Sequence, residues 1–163
     1  MEKFRIRQAV IGDAHICAEI EASCFPPSEG ASERRISKRI FTFPQGFLVL
    51  ERDAKVIGFI NCAATNKADL SDEKLKDMAG HEPDGKNLVI FSLTVKPEFQ
   101  GMGYSRLLMN EFIRQARLMN KRNILLMCKE PMLEYYKKFG FHYIMLSNST
   151  HGGVPWHEMS LCL

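Results

Sequence analysis

Leu88-Val89-Ile90-Phe91-Ser92-Leu93-Thr94-Val95, followed by Gln100-Gly101-Met102-Gly103-Tyr104-Ser105, decides how this chain folds. The first run has the length and apolar content of a buried strand. The second is a glycine turn, and from about Ser105 a helix follows, with Leu108, Phe112, Ala116 and Met119 on one apolar face. A strand, a glycine turn and a helix in that order aim backbone N–H groups at one point and favour a bound phosphate there. Two glycines let the backbone approach it closely. A dinucleotide fingerprint needs G-x-G-x-x-G, and Arg106 stands where the third glycine belongs, so that class is excluded.

Working outward, the order of elements reads as mixed α/β. Phe4-Arg5-Ile6-Arg7 alternates as a strand does, and Asp13 is a candidate N-cap for a helix running to about Phe25, with Ile16, Ile20 and Cys24 on its inner side. Pro26-Pro27 breaks that helix, and a second starts near Ser32 and ends before Pro44. Residues 47–51 and 56–63 read as a hairpin around Arg52-Asp53-Ala54-Lys55. Thr65 to Lys86 is polar, with a helical turn at Asp72 to Met78. Beyond the glycine turn, Asn123 to Cys128 is a buried strand, Pro131 opens a short helix, and residues 141–146 and 157–161 complete the sheet. There are no repeats, and one domain over 1–163 is expected.

Composition narrows the partners. The 163 residues carry 22 basic and 19 acidic side chains, a net +3 too balanced to point to nucleic acid. Arg34, Arg35, Lys38 and Arg39 read as the solvated face of the second helix. Met1-Glu2-Lys3-Phe4-Arg5-Ile6-Arg7 has no apolar run of the kind a leader needs, and no segment has the ~20 apolar residues of a membrane span. Five cysteines (17, 24, 62, 128 and 162) without a C-x-x-C pair suit reduced thiols, hence a cytoplasmic setting without membrane partners. The five histidines form no ligand cluster, so no metal is expected. A monomer or homodimer fits a chain of this size.

Gln100-x-x-Gly103-x-Ser105 resembles the cofactor loop Q/R-x-x-G-x-G/A of the Gcn5-related N-acetyltransferases (GNAT), with Ser105 in place of the usual Gly or Ala. The later run Leu126-Met127-Cys128-Lys129-Glu130, then Tyr135-Tyr136-Lys137-Lys138-Phe139-Gly140-Phe141-His142, is similar to a second signature of the family. In detail it looks most like the arylalkylamine (serotonin) branch. The resemblance is good from about Leu88 to His142 and near Trp156 to Leu163, suggestive at Cys24-Phe25-Pro26, and slight over Thr65 to Lys86.

The resemblance implies a mixed, mostly antiparallel sheet of about seven strands flanked by helices, acetyl-CoA as co-substrate and a small-molecule amine as acceptor. It puts the pyrophosphate on Gln100, Gly101, Met102, Gly103, Tyr104, Ser105 and Arg106, and the pantetheine arm on Leu93, Thr94 and Val95. Tyr136 occupies the position of the acid facing the leaving thiolate. The two histidines that the vertebrate serotonin enzymes carry on the central strand correspond to Val89 and Phe91, which accept no proton. Glu29, in the loop expected beside the acyl group, is the replacement candidate, with His81 and His151 as lesser ones. Phe25 and Met127 are candidates for the acceptor pocket, and Cys128 reads as a structural thiol. The alternatives are a protein amine (a lysine or an N-terminus) as acceptor, or a non-catalytic acyl-CoA sensor.

Overall fold

A computed structural model describes residues 3–67 and 69–163. Met1 and Glu2 of the N-terminal heptapeptide, and Ala68 of the polar stretch, lie outside the described residues. Seven strands form one mixed sheet: β1 (Phe4–Gln8), β2 (Phe47–Arg52), β3 (Lys55–Thr65), β4 (Asn87–Val95), β5 (Asn123–Cys128), β6 (His142–Leu146) and β7 (His157–Cys162). Their order is β1-β2-β3-β4-β5-β7-β6, and every neighbouring pair is antiparallel except β4 with β5. Four α-helices flank it: α1 (Ala14–Cys24), α2 (Glu33–Thr42), α3 (Tyr104–Leu118) and α4 (Leu133–Lys137). The expected fold class is the one observed.

Strand alternation sorts the core into two layers. On β2, Phe47 and Val49 join Cys17, Ile20, Ile36 and Ile40 under α1 and α2. Leu48 and Leu50 face the opposite way, into the layer of α3 with Leu108, Met109 and Phe112. The β2–β3 hairpin turns on Asp53 and Ala54, both at positive φ (50° and 66°), which matches the twist of a two-residue hairpin without a glycine.

Two local readings are corrected. Asp13 precedes α1 but its side chain does not cap it. The carboxylate instead accepts hydrogen bonds from both Arg7 terminal nitrogens (2.7 and 3.0 Å) and from the Val10 amide at 2.8 Å. Arg39 is not on a solvated face; it is 3% exposed. α2 begins where it was read, near Ser32, and the Ser32 hydroxyl caps it by accepting from the Arg35 amide. Among the described residues, no helix is long and apolar enough to cross a membrane.

Candidate active site

The parallel pair β4–β5 is where the sheet opens. Only Asn87, Leu88 and Val89 pair with Asn123, Ile124 and Leu125, whereas β4 continues to Val95 and β5 to Cys128. Beyond Val89 the two strands part, and the facing edge of β4 is free to bond something other than β5. On its other edge β4 carries a bulge: Asn61 pairs with Ser92 and Cys62 with Ile90, so Phe91 is skipped. Bulges re-aim a side chain next to functional sites.

Two cavities meet at this opening. One, about 330 Å³, is lined by Leu93, Thr94, Val95, Gln100, Gly101 and Ser105. The other, about 360 Å³, lies between the ends of α1 and α2 and the strands β4 and β5. Cys24, Phe25, Leu93, Met132 and Tyr136 line both.

Most of the first cavity's lining comes from one stretch of chain, Leu93 to Ser105, and Cys24, Phe25, Met132, Tyr135 and Tyr136 complete it. Gly101 (φ 76°) and Gly103 (φ 88°) adopt the left-handed conformation that favours glycine, and α3 starts immediately after, at Tyr104. Ser105 lines the cavity and hydrogen-bonds the Tyr135 hydroxyl. Gln100 donates from Nε2 to the Val95 carbonyl at 2.9 Å, tying the turn to the end of β4. Tyr104 packs its ring on Phe4 and Phe99, Met102 is exposed, and Arg106 is exposed with Nη2 near Gly103. The Thr94 hydroxyl is buried with no hydrogen-bond partner among the described residues.

Tyr136 stands at the junction. Its ring is held edge-on by Tyr135 and Phe141, and its hydroxyl makes no hydrogen bond among the described residues. Burial, first, and then the neighbouring Cys128 and Tyr135 push its pKa up, so the phenol is a proton-bearing donor at neutral pH. The Cys128 thiol is buried and pushed up to about 11 by that burial.

The second cavity combines apolar surface with charged and polar side chains. Phe25, Leu126, Met127 and Trp156 supply apolar surface. Glu29 faces it with Oε1 2.7 Å from Lys129 Nζ, and its backbone carbonyl accepts from His151 Nε2 at 2.8 Å. Gly152 makes room for this, because a Cβ there would come within 2.7 Å of Glu29 Cγ. His151 Nδ1 lies 3.1 Å from Glu73, so both of its ring nitrogens are engaged. His81 is elsewhere: its Nδ1 accepts the Ala64 amide and its ring packs on Phe43.

Two charged residues of this cavity were missed by the sequence reading. Arg39 donates from Nε to the Lys76 carbonyl (3.1 Å) and from Nη1 to Asn61 Oδ1 (3.0 Å), and lies 4.2 Å over the Phe91 ring. Its Nη2 has no hydrogen bond among the described residues. Burial pushes the guanidinium down to about 10, opposed by the Glu21 carboxylate. Glu21 is 3% exposed; Oε2 accepts the Ala31 amide at 2.7 Å, and Oε1 is buried without a partner. A signal for both was present. Cys17, Ile20, Glu21 and Cys24 lie at i, i+3, i+4 and i+7, as do Ile36, Arg39, Ile40 and Phe43. Each charge sits inside an apolar stripe.

A model of the acetyltransferase (GNAT) family matches residues 14–141. The N-acetyltransferase YkwB of Bacillus subtilis, itself uncharacterized, is 26% identical over 120 residues, covering 67% of this chain and 53% of the relative. The chain spans between a third and about half of the length of the curated relatives it matches. Among solved structures, the loading GNATL domain of CurA from Lyngbya majuscula superposes with a TM-score of 0.89 at 18% identity over 98% of both chains. The structure of yncA from Salmonella typhimurium with its cofactor acetyl-CoA gives a TM-score of 0.71 at 19% identity, covering 98% of this chain and 94% of that one. At these identities the structural likeness is one of fold.

Proposed function

This chain belongs to the acetyltransferase (GNAT) family, and from that premise we propose that it moves acetyl from acetyl-CoA directly to the primary amine of a small molecule, of arylalkylamine type. The observation that carries the reading is the parting of β4 from β5, with one cavity on each side and the unengaged Tyr136 hydroxyl between them.

The residues present fit acetyl-CoA. The glycine turn offers N–H groups without a Cβ in the way, the free edge of β4 can pair with an extended amide-containing arm, and the orphaned Thr94 hydroxyl awaits a polar partner in the same cavity. Acetyl-CoA supplies the activated acetyl group. Tyr136 then faces the leaving sulfur. A phenol near 10 is already above a thiol near 8.5, so full proton transfer is uphill by about 2 kcal/mol, and burial of Tyr136 adds to that. Tyr136 therefore acts mainly as a hydrogen-bond donor that stabilises the thiolate as the C–S bond breaks, while the proton given up by the attacking nitrogen passes to solvent. Phe25, Phe91, Met127 and Trp156 supply apolar surface for an aryl or alkyl group. We read the protein as one cytoplasmic domain acting as a monomer or homodimer, in keeping with its unpaired cysteines.

The test is thiol release from acetyl-CoA across tryptamine, phenethylamine, aliphatic amines and basic peptides. Turnover on the aromatic amines supports the reading. Turnover on peptides alone would replace it with a protein acceptor, and acetyl-CoA binding without turnover on any acceptor would leave a sensor.

A further inference from the structure

One wall of the acceptor cavity presents two buried charges of opposite sign, Glu21 and Arg39, with Glu21 one helical turn from Cys24, which lines both cavities. The cavity's other ionic groups are neutralised nearby. Arg35 donates to both oxygens of Asp77 (2.8 and 3.3 Å), Lys129 holds Glu29, and Lys76 lies 3.5 Å from Glu73. Asp72, also on the lining, caps its own turn by accepting the Lys74 amide. Glu21 and Arg39 influence each other electrostatically, but no ion pair joins them within 4.0 Å among the described residues. Glu21 Oε1 is buried with no hydrogen-bond partner among the described residues, whereas the hydrogen bonds of Arg39 engage Nε and Nη1 and leave Nη2 without one.

An isolated buried charge is costly, and leaving two that do not close on each other is unusual unless something fits between them. Relaxation of either toward the other is resisted by its anchors. Arg39 is fixed by Lys76 O, by the Phe91 ring and by Asn61, whose Nδ2 is in turn held by Ser92 Oγ at 2.6 Å. Glu21 is fixed by the Ala31 amide. Both residues line the cavity that also holds Phe25, Met127 and Trp156. Arg39, on α2, lies over the ring of Phe91 at the bulge of β4, the strand whose Leu93, Thr94 and Val95 line the cofactor cavity.

We propose that the acceptor is an amino acid with an apolar or aromatic side chain, its carboxylate bound by Arg39 and its amino group by Glu21. This rests on the acetyl-transfer reading above and narrows it. A guanidinium is suited to a carboxylate, and charge-assisted hydrogen bonds are the stronger kind. A plain arylalkylamine would satisfy Glu21 and leave Arg39 unpaired, so the carboxylate is the group that completes the wall.

The experiment compares matched pairs on the intact protein: phenylalanine against phenethylamine, and tryptophan against tryptamine, with acetyl-CoA fixed. The amino acids should be preferred in kcat/KM by at least about tenfold, as expected for a hydrogen bond to a charged group. In Arg39→Lys that preference should shrink toward unity through the KM of the amino acid, with the KM of acetyl-CoA unchanged. In Glu21→Gln, KM should rise for both members of a pair while the preference stays. Equal or better turnover of the amines by the wild-type protein overturns the carboxylate site and leaves acetyl transfer standing, and this comparison needs no variant to fold. If no acceptor turns over, acetyl transfer to small amines fails. Calorimetric binding of phenylalanine and tryptophan to CoA-loaded wild-type and Arg39→Lys protein then decides: binding that weakens in the variant keeps the site, and no binding to the wild type overturns it.

Discussion

The two cavities on either side of the β4–β5 opening are built in opposite ways. The glycine-turn cavity is walled mainly by one stretch of chain, Leu93 to Ser105, and its chemistry is largely backbone. The other collects side chains from α1, the loop after it, α2, β4, β5 and the segment around His151, and its two buried charges, Glu21 and Arg39, come from different helices. A site made of contiguous backbone needs only a short motif. A site made of scattered side chains needs the whole fold to exist, and single residues within it can change without disturbing the turn. The cofactor half should therefore be sensitive to backbone conformation and the acceptor half to side-chain chemistry.

Tyr136 belongs to both halves, and its removal should have the largest effect. Tyr136→Phe should lower kcat by about 100-fold or more, in the range of a lost proton donor, without changing the affinity for acetyl-CoA. Because burial raises its pKa, the phenol stays protonated as pH rises, so the wild-type profile should show no falling limb from this group below about pH 10. A basic limb near pH 8 to 9 that vanishes in Tyr136→Phe would instead make the phenolate form titrate in the working range. That would break the donor role.

Next comes the turn. At Gly103 (φ 88°) an added Cβ meets nothing closer than Arg106 Nη2 at 3.7 Å, yet the left-handed conformation costs an L-residue about 1–2 kcal/mol. Gly103→Val should weaken acetyl-CoA binding by about tenfold, that conformational cost expressed as affinity, with kcat at saturation and the acceptor KM little changed. A larger change in acceptor KM would mean that the halves are not separable.

Glu29→Gln sharpens the acceptor half from the other direction. Its Oε1 is committed to Lys129 Nζ at 2.7 Å rather than to the amine, so kcat should stay within about threefold, far short of the loss a general base gives. A loss of about 100-fold would identify Glu29 as the group that takes the amine proton.

What could be read before folding follows the same division. Residues 88–106 announce themselves because strand, turn and helix are consecutive and the glycines are required by φ. Sheet order was legible only as a resemblance, since nothing local says that β7 inserts between β5 and β6. Arg39 was misread because its neighbours Arg34 and Lys38 are exposed and a run of cations looks like one face. Its spacing from Ile36 and Phe43 placed it inside, but the Phe91 ring and the Asn61 side chain that make burial tolerable are distant in sequence. Glu21 was passed over although its spacing from Cys17, Ile20 and Cys24 places it inside, and the split of β4 from β5 leaves no mark in either strand's composition.

The smallest effect on activity belongs to a charge cluster that touches neither cavity, and it tests whether burial of charge alone marks function. Asp13, like Glu21, is a buried carboxylate, but its oxygens are satisfied by Arg7 and by the Val10 amide, and Arg7 reaches Glu51 as well. The Arg7 guanidinium, chiefly, holds the Asp13 carboxyl below its usual range. A depressed acid contributes stability that is complete above its unfolded pKa, near 4, and is lost as pH falls through the folded value. Asp13→Asn should therefore lower Tm at pH 7, flatten the acid side of the stability profile, and leave kcat and both KM values within about twofold, as surface-remote changes do. Thermal melts from pH 3 to pH 7 beside steady-state kinetics check it. If acetyl transfer fell with Asp13→Asn while Tm held, the cluster at β1 would be coupled to the opening between β4 and β5, and an unpartnered oxygen would lose its value as the feature that separates Glu21 from a merely structural carboxylate.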